Sequence, residues 1–180
     1  MHNPVAPTSE CLRLVRSLEA AHGPVEHIVL GTLGLEHKAL AGPFARAFPR
    51  AICWVQPGQW SFPLPLPLPA FGFPLGRRLR ELPADGSGGR GVSSNAQRTR
   101  YGYARVPPPW ANEIAFEVLG PLKFRAVGAF GETAFYHAST STLLLTDMVI
   151  RVEAEPPPIL TEASPPHNPE PKTTQDAPWP

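Results

Sequence analysis

The sequence predicts an α/β fold whose second half turns to an antiparallel, α+β arrangement, and three observations carry that reading. Residues 25–30 (VEHIVL) and 51–55 (AICWV) are short runs rich in apolar and β-branched side chains. Between them lie Leu40, Phe44 and Phe48 at intervals of four, the spacing of one helical face. Strand, helix and strand so close together form a βαβ unit, in which the two strands are parallel neighbours with a right-handed crossover.

In chain order, Thr8 or Ser9 can cap a first helix whose Cys11, Leu14, Val15, Leu18 and Ala21 or His22 share a face, and Gly23-Pro24 stops it. The strand at 25–30 follows, then the helix at 39–48, then the strand at 51–55. Residues 32–38 therefore sit at a carboxyl end of the sheet, the edge where α/β folds hold ligands. Residues 56–109 have neither helical nor strand period and read as one long irregular excursion. Order returns at 113–119, where Ile114, Phe116 and Val118 alternate with other residues as in a half-buried strand. Residues 132–137 (ETAFYH) and 142–146 (TLLLT) read as two antiparallel strands, with 148–152 extending the second after a bend. Residues 86–105 and the tail at 161–180 are expected to lack regular structure, because neither holds an apolar period.

Composition narrows the function classes. A length of 180 residues fits one domain, and the 25 prolines cluster where regular hydrogen bonding is hard to continue. With a net charge of +1 there is no overall field to recruit nucleic acid or an anionic membrane. Seven arginines between 77 and 105 face only Glu81 and Asp85, and Arg77, Arg78 and Arg80 with Tyr101 and Tyr103 could suggest a basic, aromatic nucleic-acid patch. The region has no nucleic-acid motif and is rich in Gly and Ser, so it reads as a solvated loop and nucleic acid is not an expected partner. Cys11 and Cys53 lie far apart among apolar neighbours, as small hydrophobes of a reducing compartment do, and two cysteines exclude a cysteine metal cluster. No apolar run approaches the length of a membrane-spanning helix, and the first eight residues have no leader pattern. The expectation is a soluble intracellular protein, with partners unspecified.

The run PVEHIVLGTLGLEHKALAGPFARAFPRAICWVQPGQW, with EIAFEVLGPL, FGETAFYH and STLLLTDMVIRVEAEPPPIL, resembles the domain-of-unknown-function 4336 family, a distant relative of metallo-β-lactamase-fold hydrolases. The resemblance spans residues 3–160 apart from an insertion at 85–105. It implies a partial metallo-β-lactamase-like αββα domain with a Pro-rich loop, truncated at both flanks and followed by a disordered tail. In that superfamily the turn after the first of these strands carries T-H-x-H-x-D-H, since a zinc pair needs several imidazoles and a carboxylate on one edge. Here the turn reads Thr32-Leu33-Gly34-Leu35-Glu36-His37-Lys38. Without a gap, Leu33 and Leu35 replace the first two histidines, His37 takes the aspartate position and Lys38 the last histidine, whereas a slip of one residue sets Glu36-His37 on the D-H pair. The P-G-H histidine has no match in VGAFGE, while Asp147 matches the metal-bridging aspartate.

The resemblance thus implies a degenerate fold without its zinc histidines, non-catalytic or ligand-binding, with no cofactor. The alternative is a hydrolase using one divalent metal ion, held by Glu36, His37 and Asp147, with His27 as a substitute ligand. Each residue also has a plain structural reading. Glu36 suits a helix entry, Asp147 a strand-end turn, and His27 and His137 hydrogen-bonded places on strands. Being adjacent, Glu36 and His37 are expected to diverge unless the turn is irregular, so that one of them approaches Asp147 but no three such groups surround one point at zinc-binding distances of about 2.0–2.2 Å.

Overall fold

A computed structural model of the chain describes residues 1–60, 66–84, 104–105, 107–124, 128–151 and 154–155. The chain divides into a compact unit at Met1–Val149 and a second at Ile150–Pro180, and the elements described below belong to the first.

Helix α1 spans Ser9–His22, with Thr8 as its N-cap accepting from the Cys11 amide at 3.2 Å. Gly23, at φ 95°, ends it, and its N–H donates to the Glu19 carbonyl at 2.9 Å. The buried side is set by Val15, with Cys11 and Leu12 against it, whereas Leu14 and Leu18 stand exposed. Cys11 and Val15 of the expected face meet the core, joined by Leu12, while Leu14 and Leu18 of that face do not.

Strand β1 (His27–Leu30), helix α2 (Leu35–Ala47) and strand β2 (Ile52–Val55) form the expected βαβ unit, with His27 opposite Ile52 and Leu30 opposite Val55 in parallel register. Helix α2 starts four residues earlier than its apolar spacing indicated and keeps Pro43 inside it. Phe44 and Phe48 are buried and stacked with ring centroids 4.9 Å apart, as the spacing required, but Leu40 is exposed. Lys38, Ala41 and Ala45 complete the buried side.

The stretch read as irregular adds two short strands. Leu79–Glu81 (β3) pairs in parallel with β2, and Ala104–Arg105 (β4) pairs in parallel with β3, which corrects the expectation of no regular structure at 104–105. Strands of two or three residues leave no period to read. The rest of the expected irregular insertion and the tail lie outside the described residues.

The antiparallel half keeps the expected order of strands, the pair at 132–137 and 142–144 is antiparallel as expected, and the first strand runs to residue 124 rather than 119 and joins the same sheet. Strand β5 (Ile114–Phe124) pairs with β6 (Gly128–His137), and β6 pairs with β7 (Thr142–Leu144). Residues 148–152 do not extend β7 among the described positions: the chain bends at 146–148 and runs on without pairing. The fold is α+β, a four-stranded parallel sheet and a three-stranded antiparallel one. Alternation along β1 and β2 covers both faces of the parallel sheet. Ile28, Leu30, Cys53 and Val55 point to the helices, while Val29 and Trp54 meet Phe116 and Phe135 of the antiparallel strands. Just past β1, Thr32 bridges Glu132 in antiparallel sense, with the Thr133 amide donating to the Gly31 carbonyl at 2.7 Å and the Leu33 amide to the Gly131 carbonyl at 3.0 Å.

Candidate metal centre

The turn from β1 into α2 runs over the carboxyl edge of the parallel sheet. The Thr32 hydroxyl accepts from the Gly34 amide at 3.1 Å and bends the chain toward the helix. Gly34 is the N-cap, and no side chain caps the helix there. Leu33 is buried against Gly131. Glu36 lies in the first turn, where its charge suits the helix dipole.

Asp147 arrives from the other sheet. Past β7, the buried Glu132 carboxylate accepts from the Thr146 amide and, at 2.9 Å, from the Asp147 amide. The Asn3 side chain donates to the Thr146 hydroxyl and accepts from the Gly31 amide at 2.9 Å, which ties the same bend to the end of β1. Asp147 Oδ2 then stands 3.4 Å from His37 Nε2, and Glu36 Oε1 stands 3.9 Å from that same nitrogen. One ligand atom from each of the three residues lies within 4.8 Å of the other two.

Glu36 and His37 thus turn toward one side instead of diverging, and His37 approaches Asp147 as expected, while the three atoms stand farther apart than ligands about 2.0–2.2 Å from one zinc ion. Glu36 folds back over Gly34, whose missing Cβ would lie 2.7 Å from Glu36 Oε1, so glycine leaves the space for both side chains to turn inward. Ligands at 2.0–2.2 Å around a tetrahedral ion are about 3.4 Å apart. The His37–Asp147 edge has that length, the Glu36–His37 edge exceeds it by about 0.5 Å, and the set as a whole spreads to 4.8 Å, wider than a tetrahedral zinc site. One imidazole and two carboxylates suit a single Zn²⁺, Mn²⁺ or Fe²⁺ ion with an open position, not a zinc pair.

A cavity of about 310 Å³ opens beside the cluster, lined by both Glu36 and Asp147 and walled by Leu33, Leu35, Trp60 and Phe130. Trp60 lies over Gly128, where a Cβ would come within 2.0 Å of the ring, and its indole N–H donates to the Ala129 carbonyl at 2.8 Å. Behind the site Lys38 is almost completely buried. Its ammonium donates to the Trp60 carbonyl and faces the Phe71 ring at 5.6 Å, and burial pushes its pKa down to about 8.

A family model described as a domain of unknown function, DUF4336, matches residues 1–179. The chain belongs to the DUF4336 family. Neither the curated proteins nor the solved structures hold a match to it.

Other residues singled out in this DUF4336 domain have structural partners. His27 Nδ1 accepts from the Trp54 indole at 3.2 Å and takes no part in the cluster. His137 bonds Thr140 at 2.6 Å and Glu113 at 3.2 Å at the β6–β7 turn. Arg78 donates to the Ala51 carbonyl and Arg80 lies over Trp54 at 5.3 Å, so these two guanidiniums serve the domain's own packing. Tyr101 and Tyr103 lie outside the described residues. Both cysteines are free, and burial pushes the Cys53 thiol up to about 12. No helix among the described residues is long and apolar enough to cross a membrane. Glu132 and Lys38 were not singled out from sequence for these contacts, and Trp60 was singled out only as part of a proline-rich segment that could be a polyproline surface or a cover over an apolar face. A glutamate in an alternating strand, an aromatic before a proline run and a lysine in a helix carry no local sign of their partners.

Proposed function

We propose that this domain is a ligand-binding relative of the metallo-β-lactamase fold that holds one divalent cation through Glu36, His37 and Asp147. The observation that carries the reading is the convergence of three ligand atoms, two from the first turn of α2 and one from the bend after β7, within 4.8 Å of one another. Further support is their position beyond the carboxyl end of a parallel strand, beside a cavity. Leu33 and Leu35 at the former imidazole positions argue against a second ion, because leucine has no donor atom. A single ion with an open position polarises or orients a bound oxygen ligand; hydrolysis would need it to activate water as well.

The test is calorimetric titration of the metal-free full chain with Zn²⁺ and with Mn²⁺. One ion per chain is expected, with affinity reduced at least tenfold in Asp147→Asn and in His37→Ala. Absence of binding, or binding that both variants retain, rejects the site.

A further inference from the structure

The cavity beside the cluster has a division of chemistry along its wall. Its apolar part is Leu33, Leu35, Ala129, Phe130 and the Trp60 ring, whose N–H is already taken by the Ala129 carbonyl. Its polar side chains are Thr32, engaged with the Gly34 amide, and the carboxylates of Glu36 and Asp147. A divalent ion on those carboxylates and a neutral His37 brings the local charge to zero and leaves a coordination position open. The start of α2 opens on the same cavity through Gly34, Leu35 and Glu36, and no side chain caps this 13-residue helix. First-turn amides of an uncapped helix favour a negative group. An anionic oxygen pair can therefore be shared between the ion and the helix start. At about 30 Å³ for each water-sized volume, 310 Å³ holds roughly ten non-hydrogen atoms.

We infer that the ligand of this site is a small carboxylate with an apolar body, about ten non-hydrogen atoms in all, its head on the ion and its body against Trp60, Leu35 and Phe130. The inference rests on the one-ion reading and adds the ligand class to it. A cationic amphiphile is the competing occupant, since without an ion the two carboxylates would attract an amine.

The probe is 4-fluorophenylacetate, followed by fluorine NMR line broadening against the full chain, with 4-fluorophenethylamine as the charge-reversed control. The expected result is carboxylate binding to the Zn²⁺-loaded protein, at least tenfold weaker after metal removal, with no amine binding in either state. Trp60→Ala and Leu35→Ala should each weaken the carboxylate at least fivefold and leave zinc affinity unchanged. Leu35 is 46% exposed, so that variant serves if the Trp60 change does not fold. Zinc binding that depends on Asp147, without carboxylate binding, overturns this inference and leaves the one-ion reading intact. Failure to bind zinc overturns both. Amine binding to the metal-free protein overturns the carboxylate assignment in favour of a cationic ligand.

Discussion

Lys38→Met tests how much the buried ammonium costs the fold. Lys38 is 1% exposed, and burial lowers its pKa from 10.5 to about 8. At about 1.4 kcal/mol per unit, that drop corresponds to about 3 kcal/mol of differential stability. The sign follows from proton counts. Between pH 8 and 10.5 the unfolded chain keeps this proton and the folded chain has released it, so the unfolding free energy rises with pH across that window. Below pH 8 the full cost of burying the charge is present. Methionine fills similar space without a charge, but it leaves the Trp60 carbonyl without this donor, at about 1–3 kcal/mol. That loss does not vary with pH, so the diagnostic quantity is a difference of slopes. Urea unfolding of both proteins at pH 7 and pH 10 should show wild type gaining about 2–3 kcal/mol over Lys38→Met as pH rises. Parallel curves, within about 0.5 kcal/mol, would refute the claim that Lys38 is charged and poorly compensated at neutral pH.

Other substitutions address the elements that build the site. Glu132→Leu removes the acceptor of two backbone amides and should cost about 2–4 kcal/mol by denaturant unfolding, with zinc affinity falling as Asp147 loosens; unchanged stability would mean the bend is held by other contacts. Gly128→Ala combines φ 109° with a contact into the Trp60 ring, and about 2 kcal/mol or more should be lost together with the probe's binding. Phe44→Ala, in the centre of the helix-side cluster, should cost about 3–5 kcal/mol in the same assay. Thiol titration should modify Cys11 in the native protein and reach Cys53 only on unfolding, because the latter is buried with its thiol pushed up to about 12; equal rates would contradict the burial.

Much of the backbone plan was legible because it repeats locally. The apolar, β-branched runs VEHIVL and AICWV and the four-residue spacing of Phe44 and Phe48 are local signals, and the structure shows the parallel pair and the helix between them. Period alone misjudged Leu14, Leu18 and Leu40, all apolar at helical spacing and all exposed, since nothing in a helix states where its neighbour ends. Strand β3 was hidden because Leu79–Glu81 gains its place from pairing with β2. The site residues were named from a resemblance that also led one of Glu36 and His37 to be expected near Asp147, but the approach of both was not foreseen. It depends on space at Gly34 and on Glu132 holding the Asp147 amide, and both are tertiary facts.

The bridge between Thr32 and Glu132 has a consequence for folding. Glu36 and His37 belong to the first βαβ unit, whereas Asp147 is delivered by a bend anchored on β6, far along the chain. Neither half holds the three-ligand set alone, so cation affinity would exist only after the two sheets have docked. In refolding, uptake of Mn²⁺ should lag behind recovery of helical signal and coincide with the final cooperative step. An ion bound this way acts as a late clasp: it would slow unfolding by resisting separation of the sheets and contribute little to the rate at which the βαβ unit first forms.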